Sequence, residues 1–171
     1  MALAAPGPDP AQLADLLRLA VRVPDHGKLA PWRFVILRGE AKDDFAERIT
    51  ARPIARPNPV KRQGRPAQAD DAAVAVAVIS RFIPGEIPEM GTAPRAPRRS
   101  ARRAAASRPA LGWGANWITD WYSCDPRATA ILGLAEGEQV AGYLYLGATT
   151  EQPQERVRPD VAAITSEWSP A

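Results

Sequence analysis

The run Ala72 to Ile79, Ala-Ala-Val-Ala-Val-Ala-Val-Ile, constrains the fold of this chain more than any other stretch. It reads as a strand, apolar along its whole length. A strand with apolar side chains on both faces is buried on both faces, which places it at the centre of a sheet with a layer on either side. With 171 residues and an apolar content of 46%, the chain is long enough for one domain with a real core.

The first covering element is strongly punctuated. Asp9 caps a helix, Pro10 suits its first position and Gln12 completes an Asp-x-x-Gln capping box. Leu13, Leu16, Leu17 and Ala20 then recur on one face, and Arg22 favours the negative end of the helix. Pro24 lacks an amide hydrogen and turns Val23 away from helix, while Pro31 biases Ala30 towards an extended conformation. Phe34 to Leu37 form a short buried strand and Gly39 turns the chain. Ala41 to Ile49 form a second helix with Phe45 and Ile49 on one face. Ala51 to Pro66 is rich in proline and basic residues and reads as a loop or flap.

Further on, Ala110-Leu111-Gly112-Trp113-Gly114-Ala115-Asn116-Trp117-Ile118-Thr119-Asp120-Trp121 combines two glycines, which allow close backbone approach, with three flat tryptophans. On these residues alone the stretch is a glycine-relieved helix end leading into a packed strand. Gly112-x-Gly114 lacks the third glycine of a dinucleotide fingerprint. Asp125-Pro126 caps a short helix to Leu132, closed by Gly133, and Gln139 to Leu146 form a strand ending at Gly147. In the tail, Arg156 and Arg158 face the same way if extended, as an anion-binding pair or a solvated charge run.

The residue inventory excludes several chemistries. One His, one Cys and the absence of Gly-x-Ser-x-Gly or Cys-x-x-Cys give neither a hydrolytic set nor a zinc site, so no catalytic side chain and no metal ligand is assigned. The lone Cys124 makes no internal disulfide, which fits a reducing cytoplasm, and its ordinary role is that of a small buried hydrophobe. No apolar run approaches the roughly 20 residues of a membrane span, and the N-terminus lacks a signal-peptide pattern. The formal charge of +3 is uneven: Arg95, Arg98, Arg99, Arg102, Arg103 and Arg108 fall between Gly91 and Pro109, where there is no acidic residue. A basic nucleic-acid-binding protein is therefore an alternative. It rests on that segment alone, which lacks interleaved aromatics.

Arg22-Val23-Pro24-Asp25-His26-Gly27-Lys28, closed by Pro31-Trp32-Arg33-Phe34, joins the first helix to the first long strand. Rigid ends with polar residues between them suit a binding loop. Taken alone, His26 suits a capping or hydrogen-bonding role, and Trp32 and Phe34 suit the core. The loop resembles the flavin-binding loop of the nitroreductase family, in particular its short bacterial NAD(P)H-dependent members, and the Ala110 to Trp121 stretch repeats the resemblance.

The resemblance implies an α+β fold with a mainly antiparallel sheet flanked by helices. It further implies bound FMN, NAD(P)H as electron donor, and a homodimer with flavin at the subunit interface. The acceptors would be nitroaromatics, quinones or similar small molecules. It places Arg22 and His26 in contact with the flavin, Trp117, Ile118 and Thr119 beside its ring, and Arg156 and Arg158 near its phosphate. Arg22 and Lys28 would stabilise the negative charge of a reduced flavin. A flavin performs the electron transfer itself, which fits a chain poor in catalytic side chains.

The chain also departs from that family. It begins past the usual Arg-Arg-Ser helix, and it has Lys28-Leu29-Ala30-Pro31-Trp32 where the superfamily often reads Asn-x-Gln-Pro-Trp. Family members continue from Ile-Pro-Glu into Trp-Glu-Gln and a long apolar helix. Here Ile87-Pro88-Glu89 is followed by Met90-Gly91-Thr92-Ala93, and no Leu, Ile, Val or Phe occurs from Gly91 to Pro109. Met is encoded by ATG and Gly codons begin GG, so a reading one base later gives TGG, the codon for Trp. We read residues 91–109 as a frame-slipped segment, restored before Ala110. A compromised nitroreductase-fold protein with little flavin binding is the corresponding alternative.

Overall fold

The computed structural model describes residues 2–24, 28–51, 71–81, 112–149, 151, 155 and 157–168. The apolar run forms β3 (Val74–Arg81), central in an antiparallel sheet, with every residue from Val74 to Ser80 buried. One edge of β3 pairs with β2 (Trp32–Arg38) and the other with β5 (Glu138–Thr149). The far edge of β5 pairs with β4 (Gly114–Ile118), and its last residues pair with β1 (Leu3–Ala4). All these pairings are antiparallel, as the resemblance implies.

Alternation along the strands divides the core into two faces. On one, Val74, Val76, Leu144, Leu146 and Ala115 meet Leu13, Leu16 and Ala20 of α1 (Pro10–Ala20). The capping box holds the start of this helix: the Asp9 carboxylate accepts from Gln12 N at 2.8 Å, and the Gln12 amide oxygen accepts from Asp9 N at 3.1 Å. On the other face, Ala75, Ala77, Ile79, Tyr143 and Tyr145 meet Phe45, Ala46 and Ile49 of α2 (Glu40–Thr50). Tyr122, in a 3-10 turn over Trp121–Ser123, and Ala128, in the short helix α3 (Pro126–Ile131), complete that layer. Each large side chain so buried contributes roughly 1.5–3 kcal/mol.

Two polar devices fasten the layers. Lys42 on α2 is buried, and its ammonium donates to the Ala72 carbonyl at 2.6 Å, just before β3. Glu138, at the start of β5, accepts from Arg33 Nε at 2.8 Å and from Arg33 Nη2 at 2.6 Å. Ala135 N donates to the same carboxylate at 3.0 Å, and Arg81 stands 3.5 Å away. This carboxylate therefore ties β2, β3 and β5 together at one end of the sheet.

The register contains one irregularity. Val78 lies opposite Gly142 and Ile79 opposite Val140, so Ala141 is an extra residue in β5 and forms a β-bulge. Gly142 then has φ +153°, a conformation that L side chains rarely adopt.

Candidate functional site

The C-terminal end of β3 and the N-terminal ends of β2 and β5 meet at one end of the sheet, and β4 runs towards that end but stops at Ile118, opposite Tyr143. Pro31, just before β2, is tied to that end: its carbonyl accepts from Arg81 N at 3.0 Å beside the Trp32–Ser80 pair. Lys28 (φ 57°) and Ala30 (φ 45°) both adopt left-handed backbone. Such conformations carry a local cost for residues other than glycine and concentrate at binding and active sites. The extended conformation expected for Ala30 is thus not found. Trp32 N donates to Ala30 O at 2.7 Å, and this tight turn, anchored through Pro31 to β3, overrides the local bias before proline.

Arg22 and Lys28 are both exposed and make no ion pair among the described residues. On the α1 face of the sheet, half-buried Phe34 and Trp117 pack against Val78 and Ala141. Trp32 lies two residues from Phe34 on the same side of β2 and is also half-buried.

Trp117 is seated by the bulge. A Cβ added to Gly142 would collide with the indole Nε1 and lie 3.0 Å from Cδ1, so the pyrrole edge fills the space where residue 142 has no side chain. The Nε1 atom is buried and has no hydrogen-bond partner among the described residues. Leaving such a donor unsatisfied costs about 1–3 kcal/mol.

The residues assigned from sequence are distributed as follows. Arg22 follows α1 and Lys28 precedes β2, while Trp117 lies on the α1 face of the sheet beside Phe34 and Val78. Ile118 points to the opposite face, against the tyrosine cluster, and Thr119 is exposed just past the end of β4. Arg158 is exposed in the tail and pairs with Glu155 at 3.2 Å. His26 and Arg156 lie outside the described residues, as do the basic loop after Ala51 and the segment 91–109. Gly142 was missed. A glycine inside a strand pattern is the available signal for a bulge or a close approach.

The electrostatics are simple. The paired Arg33 guanidinium, followed by the Ala135 amide, pulls the Glu138 carboxyl down to about 2. Burial pushes the Tyr122 and Tyr143 phenols well above their ordinary value and raises that of Tyr145, so all three stay protonated at neutral pH. A cavity of about 400 Å³ between α2 and α3, lined by Arg48, Ile49, Arg127 and Ile131, lies on the face away from Trp117 and holds none of the assigned residues. No group of His, Cys, Asp and Glu that could hold a metal occurs among the described residues.

The profile of the Nitroreductase family matches residues 3–148, from β1 almost to the end of β5. The chain belongs to the nitroreductase family. Among relatives of this nitroreductase is YdjA of Escherichia coli K12, assigned by its name to the NAD(P)H nitroreductases. The two are 27% identical over 157 residues, covering 85% of this chain and 80% of YdjA. Among solved structures, a nitroreductase-like family protein from Bacillus cereus superposes with a TM-score of 0.78 at 15% identity, covering 96% of this chain and 88% of that one. A nitroreductase with bound FMN from Bacteroides fragilis gives a TM-score of 0.74 at 17% identity, covering 98% and 92%. The fold is therefore nitroreductase-like, and the protein is an oxidoreductase of a flavoprotein family.

Proposed function

We propose that this nitroreductase carries hydride from NAD(P)H to nitroaromatic, quinone or similar acceptors through bound FMN. The observation that carries this reading is the family match across the sheet, combined with an aromatic face at Phe34 and Trp117 and, between α1 and β2, two exposed cations without an ion pair among the described residues. FMN is a planar ring with an anionic phosphate. The described residues offer what such a molecule needs: flat apolar surface at Phe34 and Trp117, and the cations Arg22 and Lys28.

When bound, FMN supplies the hydride-accepting and electron-transferring chemistry. The chain's own task is to hold and tune it. Trp117 and Phe34 would form part of the ring's seat, while Arg22, His26 and Lys28 would favour negative charge on the ring. Ile118 would support Trp117 from the opposite face, Thr119 would lie at the rim, and Arg156 and Arg158 would hold the phosphate.

The tail favours a homodimer with flavin at the interface. Val157 is 94% exposed and Trp168 is 85% exposed, and Val161 and Ile164 are also uncovered. Apolar residues presented in this way mark an interaction surface, and a second copy of the chain is the partner that the family resemblance favours. Among the described residues no helix is long and apolar enough to cross a membrane. Cys124 is exposed, not the small buried hydrophobe expected from its residue type, and a single free cysteine favours a cytoplasmic location.

Purified full-length protein is expected to be yellow, or to become so with FMN, and to oxidise NAD(P)H when a nitro or quinone acceptor is present. A protein that stays colourless throughout an FMN titration overturns the reading.

A further inference from the structure

The Trp117 indole occupies an unusual position. Its pyrrole edge lies in the slot that the bulge at Ala141 and the glycine at 142 create, so close that even a methyl group there would collide with it. In that slot the N–H is shut off from solvent and has no acceptor among the described residues. Buried donors are almost always paired, and an exception calls for an explanation. The rest of the ring is half-buried beside Phe34, on the α1 face of the sheet.

We propose that Trp117 is a movable ligand contact: its indole leaves the Gly142 slot when a planar ring bearing carbonyl acceptors binds over Phe34 and Val78, and its N–H donates to one of those carbonyls. The proposal rests on the flavin reading of the site, with the isoalloxazine ring of FMN as the occupant. A ligand shifts a conformational equilibrium only through a difference in its interactions with the two states. Here the difference is explicit, because the N–H has no partner among the described residues in the slot and gains one outside it. Gly142 then acts as a parking place for the indole, and Trp117 sets specificity for rings with an acceptor at their edge over purely apolar rings. No bond is made or broken in this step.

The test uses the full chain labelled with 15N, in which each of the five tryptophans contributes an indole N–H resonance. Trp117→Phe identifies the resonance of residue 117 by its loss. FMN is the probe, and its binding is followed independently by flavin absorbance. The expected result is a downfield movement of the Trp117 resonance at saturation, together with about tenfold weaker FMN binding in Trp117→Phe, the loss expected for one donor that only the bound state satisfies. If FMN binds and the Trp117 resonance stays in place, the proposal is overturned while the flavin reading stands. A role in packing alone overturns it too, and leaves a different pattern: Trp117→Phe then lowers the melting temperature and keeps FMN affinity within about twofold. If FMN does not bind at all, the flavin reading fails and this proposal fails with it.

Discussion

Glu138 is the side chain on which the largest number of polar contacts converge at the site end of the sheet. It is almost fully buried, and it accepts hydrogen bonds from Arg33 and Ala135. Its carboxyl is pulled from an ordinary value of 4.5 to about 2, chiefly by the Arg33 hydrogen bonds. A group whose folded pKa is depressed contributes stability that is complete above its unfolded value and is lost as pH falls through the folded one. Urea midpoints are therefore expected to drop between about pH 4.5 and pH 2. In Glu138→Gln the drop should be flatter, and stability at pH 7 about 1.5–3 kcal/mol lower, the range for charged hydrogen bonds. Equal pH profiles for the two proteins would remove Glu138 from this role. Lys42 calls for a second measurement. In Lys42→Met the apolar stem survives but the Ala72 carbonyl loses its donor. A loss of about 1–3 kcal/mol in denaturant unfolding is expected, and an unchanged midpoint would show that the carbonyl finds another partner.

Among the elements, α1 was fully legible in the sequence, because its stop and start signals are local. Both bonds of the predicted Asp9–Gln12 capping box are present, and Leu13, Leu16 and Ala20 are buried as their spacing requires. Asp9→Ala is expected to cost about 0.5–2 kcal/mol of stability in thermal or urea unfolding, and Asp9→Asn much less. β3 was equally legible, since a strand apolar on both faces has no place except the middle of the sheet. The less legible features depend on partners distant in sequence. Nothing near Ala141 announces that its strand will skip a residue against Val78, and nothing near Ala30 shows that Pro31 will be bound to Arg81. Lys42 reads as an exposed helix residue, because its buried position is decided by the Ala72 carbonyl thirty residues away. At the site, the loop and Trp117 were found through resemblance. The separation of Trp117 from Ile118 onto opposite faces follows from strand alternation alone.

For the whole molecule, the exposed tail and the segment 91–109 lead to separate experiments. If Val157, Val161, Ile164 and Trp168 are covered by a second copy, replacing the last three with Ser should shift the protein from dimer to monomer in sedimentation, with little change in secondary structure. A wild-type monomer would refute the homodimer. Restoring the alternative reading frame from Met90 to Pro109 should introduce several large apolar residues, each contributing roughly 1.5–3 kcal/mol when buried. Against a total stability of about 5–15 kcal/mol, such a gain should appear plainly as a higher melting temperature and firmer FMN retention. If the restored frame encodes no apolar helix, the frame-slip proposal fails.

The pairing pattern of β5 also has a consequence for how the molecule emerges during synthesis. β3 is complete at Arg81, but the strand that covers its second edge begins only at Glu138, and that strand also holds β4 and β1. At roughly 5–20 residues per second, several seconds separate the appearance of the two partners. Throughout that interval a nascent chain can pair β2 with β3 while the most apolar edge of its sheet is open to neighbouring chains, the situation most prone to edge-to-edge association. A chain ended at Gly137 should therefore accumulate in the insoluble fraction, and the yield of the full chain should depend on how quickly its last thirty-odd residues are translated.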